Sequence, residues 1–128
     1  MPNPIHAGAC HCGQVRFEVR APLKAPDACH CRACRSFSWH IFVSVDVPRT
    51  SLVFKNSEGL RWVQSSEKVR RGFCGGCGSS LFWDPVHHDW RAVAMGAFEG
   101  PTGARLSKHI FVREKGAYYE ISDGLPQG

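Results

Sequence analysis

Apolar and polar positions alternate over short runs in this chain and rarely recur at a helical period of 3.6. Gln14-Val15-Arg16-Phe17-Glu18-Val19-Arg20 is the clearest run, with Val15, Phe17 and Val19 on one face of a strand. Similar β-branched or alternating segments lie between Gly, Pro, Asn and Asp, and they predict strands over 14–20, 39–45, 51–55, 59–64, 69–73, 80–84, 90–95, 108–112 and 119–122. One helical turn is predicted over 31–36. Turn signals fall over 22–27 and at Asn56-Ser57, Asp84-Pro85 and Gly100-Pro101. No internal repeat or composition shift marks a linker, so the pattern predicts one all-β domain over 1–128.

Composition changes this picture in two ways. With 128 residues, 43% hydrophobic and 21% charged, the chain is globular, but a domain this small has a modest core to which a covalent or metal staple would add much. Seven cysteines, five of them before residue 35, offer that staple. Pro2, Pro4, His6 and Gly8 interrupt the N-terminal stretch, and no run nears the ~18 apolar residues of a membrane span, so the expectation is a cytoplasmic protein without a membrane partner. Cysteines in that compartment serve as thiolates more often than as disulfides, and an odd count agrees. The net charge of +5 and the pI near 9.0 raise nucleic acid as a partner. Seven metal-bound thiolates would cancel most of that excess, which makes nucleic acid a weak expectation.

The cysteines fall in three clusters: Cys10-His11-Cys12-Gly13, Cys29-His30-Cys31-Arg32-Ala33-Cys34 and Cys74-Gly75-Gly76-Cys77-Gly78. Zinc takes four tetrahedral ligands in structural sites, and sulfurs one or two residues apart turn inward together on a tight knuckle. A glycine after the second sulfur allows the positive φ of such a turn, as Gly13 and Gly78 would. Two knuckles make one closed site from Cys10, Cys12, Cys74 and Cys77. Cys29, Cys31 and Cys34 supply three ligands, which leaves a position for substrate unless His30, His40 or His109 fills it. His11 and His30 alternate with ligands and should point outward. Arg32 and Arg35 flank the three-sulfur cluster and suit substrate carboxylates, while Phe37 and Trp39 suit a pocket wall. The basic run Lys68, Arg70, Arg71 should be a solvated edge.

In order and spacing, the segments 8–17, 29–35, 73–82 and 121–126 resemble the family of glutathione-dependent formaldehyde-activating enzymes and centromere protein V. The resemblance runs from about residue 7 to residue 126. It implies a zinc-stapled all-β fold of several small coiled antiparallel sheets. By position it also implies a structural zinc on Cys10, Cys12, Cys74 and Cys77 and a catalytic zinc on Cys29, Cys31 and Cys34, two Zn²⁺ per chain. The implied activity is carbon–sulfur lyase or synthase chemistry on a thiol–aldehyde adduct, such as S-hydroxymethylglutathione from glutathione and formaldehyde. The competing class is a non-catalytic zinc module that binds protein or nucleic acid, with both metals structural. An open coordination position separates the two.

Overall fold

The computed structural model describes residues 4–128. Two sheets carry most of the chain. In the smaller, β1 (His6–Ala9), β2 (Arg16–Val19) and β5 (Leu52–Asn56) pair antiparallel in the order β1-β2-β5. The larger sheet holds β3 (Asp27–Cys29), β4 (Phe42–Pro48), β6 (Leu60–Gln64), β7 (Val69–Cys74), β8 (Ser80–Pro85), β9 (Trp90–Ala94) and β10 (Lys108–Ile110), in the order β10-β3-β4-β9-β8-β7-β6. Its neighbours are antiparallel except β10 and β3, which run parallel. The α-helix, α1 (Arg32–Ser38), follows β3. The all-β expectation holds, with two sheets where several small ones were expected.

Alternation along the strands decides what each face does. Val15, Phe17 and Val19 turn inward as their spacing predicted and meet Val45, Val47, Phe82 and Val93 of the larger sheet in one core. Phe17 and Phe82 pack edge to face with centroids 5.3 Å apart. Full burial of each such side chain contributes on the order of 2 kcal/mol. The intervening residues point the opposite way. The register Asp46↔Ala92, Ala92↔Trp83, Trp83↔Arg71 lines up one row across β4, β9, β8 and β7 on the far face of that sheet. That row underlies the candidate site.

Several expectations are corrected. The segment 119–122 forms no strand; the Tyr119 hydroxyl and carbonyl are committed to His30 and Lys115 instead. β1 and β3, which were not expected, are short and poor in β-branched residues, and backbone pairing holds them. Asp84-Pro85 is the end of β8, and the turn comes after it, where His88 N–H donates to the Pro85 carbonyl. Asp84 is wholly buried and takes Arg49 Nη2 at 2.6 Å on Oδ1 and Arg70 Nε at 2.8 Å on Oδ2, with Arg91 Nε 3.3 Å away. Arg70 also lies 3.9 Å over the Trp62 ring. The basic run is therefore no solvated edge: Arg70 closes one face of the sheet, and Arg71, 5% exposed, enters the other.

Candidate metal centres and the cavity beside them

All seven cysteines are free thiols, and their sulfurs gather in two groups. In the first, Cys10, Cys12, Cys74 and Cys77 lie within 4.8 Å of one another. Each knuckle turns on a glycine in the left-handed region, Gly13 at φ +83° and Gly78 at φ +81°. Backbone N–H groups of Val15 and Gly76 donate to the Cys10 and Cys74 sulfurs, both at 3.3 Å. The Cys10–Cys12 and Cys12–Cys74 sulfur separations are 3.7 and 3.6 Å. A tetrahedral ion with metal–sulfur bonds of ~2.3 Å needs sulfurs roughly 3.8 Å apart, so the donors fit a metal such as zinc. Hydrogen bonding from Ser79 holds the Cys77 thiol down at about 5.

Cys29, Cys31 and Cys34 form the second group, also within 4.8 Å. Cys29 ends β3, and Cys31 caps α1, its sulfur accepting the Cys34 backbone N–H at 3.2 Å. This bond curls the first helical turn so that Cys34 comes back over Cys29. Arg71 reaches the group from β7, with Nη1 3.5 Å from Cys34 Sγ and Nε on Ser65 Oγ at 3.1 Å. Hydrogen bonding within the group to Cys29, joined by the Arg71 guanidinium, holds the Cys34 thiol down at about 6 against the opposing effect of burial. No spacing in the sequence announces that Arg71 meets Cys34.

The histidines offered as a fourth ligand are engaged elsewhere. His30 is 1% exposed, and its side chain leaves the sulfurs for the interior, where Nδ1 meets Tyr119 Oη at 2.6 Å and Nε2 meets His109 Nδ1 at 2.8 Å. His109 Nε2 lies 2.7 Å from Asp123 Oδ2, so both nitrogens of both rings are used. His40 Nδ1 pairs with Tyr118 Oη. Outward to solvent therefore describes His11 but not His30.

A cavity of about 390 Å³ opens over the second group. The three cysteines and Arg71 border it, Phe42, Trp83, Trp90, Ile110 and Phe111 supply apolar walls, and Asp27, Ser44 and Asp46 also line it. Trp83 and Trp90 stack with centroids 5.6 Å apart. Partial desolvation pushes the carboxyl groups of Asp27 and Asp46 up, and Asp27 adds to the effect at Asp46. The expected substrate contacts lie elsewhere. Arg32, Arg35 and Trp39 line a separate shallow depression with Ser36, His40 and Tyr118. Trp39 is 82% exposed because it caps α1 in the left-handed region at φ 65°. Phe37 is half-buried, with the Arg71 guanidinium 5.3 Å over its ring.

With three sulfurs beside an apolar cavity, the family model that matches residues 5–114 is that of the glutathione-dependent formaldehyde-activating enzyme. The chain belongs to this family. A Halomonas elongata protein, named provisionally as a glutathione-dependent formaldehyde-activating enzyme, is 34% identical over 89 residues, 61% of this chain and 55% of that protein. The chain thus spans about half the length of the curated relative it matches. A crystal structure of a Rhodobacter sphaeroides protein shares the fold at TM-score 0.61 and 18% identity, covering 79% of this chain and 99% of that one. No helix among the described residues is long and apolar enough to cross a membrane. In this member of the glutathione-dependent formaldehyde-activating enzyme family, either cysteine group could hold a metal ion.

Proposed function

We propose that this chain is a zinc-dependent carbon–sulfur lyase or synthase, with Cys10, Cys12, Cys74 and Cys77 on a structural zinc and Cys29, Cys31 and Cys34 on a catalytic one. The observation that carries the reading is three sulfurs within 4.8 Å beside an apolar cavity, with no histidine, carboxylate or fourth sulfur in the group among the described residues. A purely structural site gains nothing from such an opening, which disfavours the binding-module reading. When bound, the ion lowers the proton affinity of an entering thiol.

The chain's own residues do the rest. Cys29, Cys31 and Cys34 would hold the ion beside the cavity and would leave it able to take a fourth ligand from a substrate. The Arg71 guanidinium, 3.5 Å from Cys34 Sγ, would offset the negative charge that three thiolates leave on a divalent ion. Phe42, Trp83 and Trp90 exclude water and hold thiol and aldehyde together, so that orientation supplies much of the acceleration. In the synthetic direction the thiol sulfur bonds to the carbonyl carbon, the carbonyl electron pair moves to oxygen, and the thiol proton ends there as a hydroxyl. Lysis is the reverse.

Following labelled formaldehyde and glutathione by NMR tests the reading. Protein carrying two zinc ions per chain should accelerate formation of S-hydroxymethylglutathione well above the spontaneous rate, and Cys31→Ser should not. Two bound zinc ions without acceleration for any thiol and aldehyde pair overturn it.

A further inference from the structure

On the face of the larger sheet opposite the cysteine cavity, three arginines meet one carboxylate. Trp83 and Asp84 are consecutive on β8, so Asp84 leaves the sheet away from the cavity that Trp83 borders. Arg70 of β7 is its register partner, and Arg91 comes from β9 on the other side. Arg49 is spent within the fold: besides Asp84, its guanidinium donates to the carbonyls of Pro85, His88 and Trp90. The other two are not. Among the described residues Arg70 donates only through Nε, to Asp84, and Arg91 makes no side-chain hydrogen bond. Arg91 Nε is the one buried side-chain nitrogen or oxygen left without a partner there, so the four Nη atoms of Arg70 and Arg91 are open to solvent. Three guanidinium groups against one carboxylate leave two positive charges, and solvent reaches only 32% of the Arg70 side chain and 14% of that of Arg91. Both are held against Trp62, 3.9 and 5.4 Å from its ring centroid. Burial pulls the Arg91 pKa below its usual value; Asp84 opposes the fall, and the charges of Arg49 and Arg70 add to it. Charge that is neither paired nor fully solvated costs free energy that an anion would recover.

We propose that Arg70 and Arg91 form a binding site for a phosphoryl dianion, separate from the cysteine groups. Each guanidinium presents its unspent Nη groups as a planar fork, which suits paired phosphate oxygens. Two surplus positive charges match the two negative charges that a phosphoryl group approaches at neutral pH. Asp84 is wholly covered, so the ligand meets guanidinium and not carboxylate. Its part is to place the arginines: both Nε atoms approach Oδ2, at 2.8 and 3.3 Å, which leaves the Nη groups for a ligand. Free phosphate and a phosphate monoester share this chemistry. The proposal does not rest on the metal and thiol reading, because no cysteine takes part.

Calorimetric titration of the zinc-loaded protein with inorganic phosphate, at an ionic strength held constant with chloride, tests the proposal. Phosphate should fill a single saturable site. Arg70→Met and Arg91→Met should each weaken it about tenfold or more, the worth of one hydrogen bond to a charged group. Either variant leaves Asp84 two guanidinium partners, so the fold is kept. Asp84→Asn should bind phosphate more tightly than the parent and gain more melting temperature from it, since the counter-charge is gone; a cluster with a structural role alone gives no such gain. Should Asp84→Asn fail to fold, the two arginine variants decide. Cys31→Ser should bind phosphate as the parent does, which separates this site from an anion taken by the metal. Phenyl phosphate binding as tightly as phosphate supports a monoester ligand, and weaker binding supports the free ion. No saturable binding by the parent, binding unchanged in both arginine variants, or binding lost in Cys31→Ser overturns the proposal.

Discussion

Arg71 Nη1 lies 3.5 Å from Cys34 Sγ, joining β7 to the first turn of α1 across 37 positions of sequence. A donor to a coordinating sulfur tunes metal affinity, and losing such a partner costs roughly 10- to 100-fold. Arg71→Met should therefore weaken one metal site by that factor and leave the other unchanged. Chelator competition measured separately for the two equivalents checks this, and two equally weakened sites would contradict it.

The two cysteine groups should differ in what they hold together. Cys74 is fully buried in the main core, and its group ties residue 10 to residue 77, whereas Cys31 is half-exposed beside a local loop. Cys74→Ser forfeits much of a metal-binding free energy on the order of 10 kcal/mol and should leave the protein unfolded. Cys31→Ser should stay folded with one metal fewer. Thermal melts with elemental analysis decide between them; similar melting losses would refute the difference.

Asp84 gives stability a specific dependence on pH. Burial alone would raise its pKa, but hydrogen bonds from Arg49 and Arg70, with the charge of Arg91, hold it below the ordinary value. A carboxyl depressed in the folded state stabilises at pH above its unfolded value, about 3.9, and that contribution fades as pH falls through the folded value. Asp84→Asn should cost about 3 kcal/mol at pH 7, because three guanidinium groups lose their counter-charge. Its deficit relative to the parent should narrow below pH 4. Urea melts of both proteins from pH 7 to pH 3 measure it, and a constant difference would argue against the ion cluster.

Removing the hydroxyl of Tyr119 strands His30 Nδ1 in the interior, since the other nitrogen already faces His109. Tyr119→Phe should destabilise by about 1–2 kcal/mol. Denaturant midpoints at constant m-value check the figure.

Trp39→Ala should leave thiol binding unchanged, and Trp83→Ala should alter it, because only Trp83 borders the cavity of the three cysteines. Titrations of glutathione into both variants provide the comparison. A loss confined to Trp39→Ala would move the binding site to the depression lined by Arg32 and Arg35.

What the sequence discloses and what it hides divide along physical lines. Val15, Phe17 and Val19 announce a buried face because side-chain alternation is local, and Gly13 and Gly78 announce knuckles because only a few residues are involved. The pairing of Cys10 and Cys12 with Cys74 and Cys77 was legible from ligand number. Arg71 on Cys34 and His30 on His109 were not, since each bond joins residues far apart whose types carry no spacing rule. Trp39 misled because a large ring suggests a wall, whereas its backbone conformation at the helix end turns it to solvent. Asp84-Pro85 misled because turn chemistry and a buried ion cluster use the same aspartate.

The bonded series Tyr119–His30–His109–Asp123 ties the three-sulfur segment to residues 109–123. The four-sulfur group is complete in the growing chain once residue 77 has emerged. Cys29, Cys31 and Cys34 emerge far earlier, yet His30, which sits between two of them, finds its partners only when residues 109–123 arrive. The short segment that carries three sulfurs is thus anchored from behind by a part of the chain some eighty residues further along.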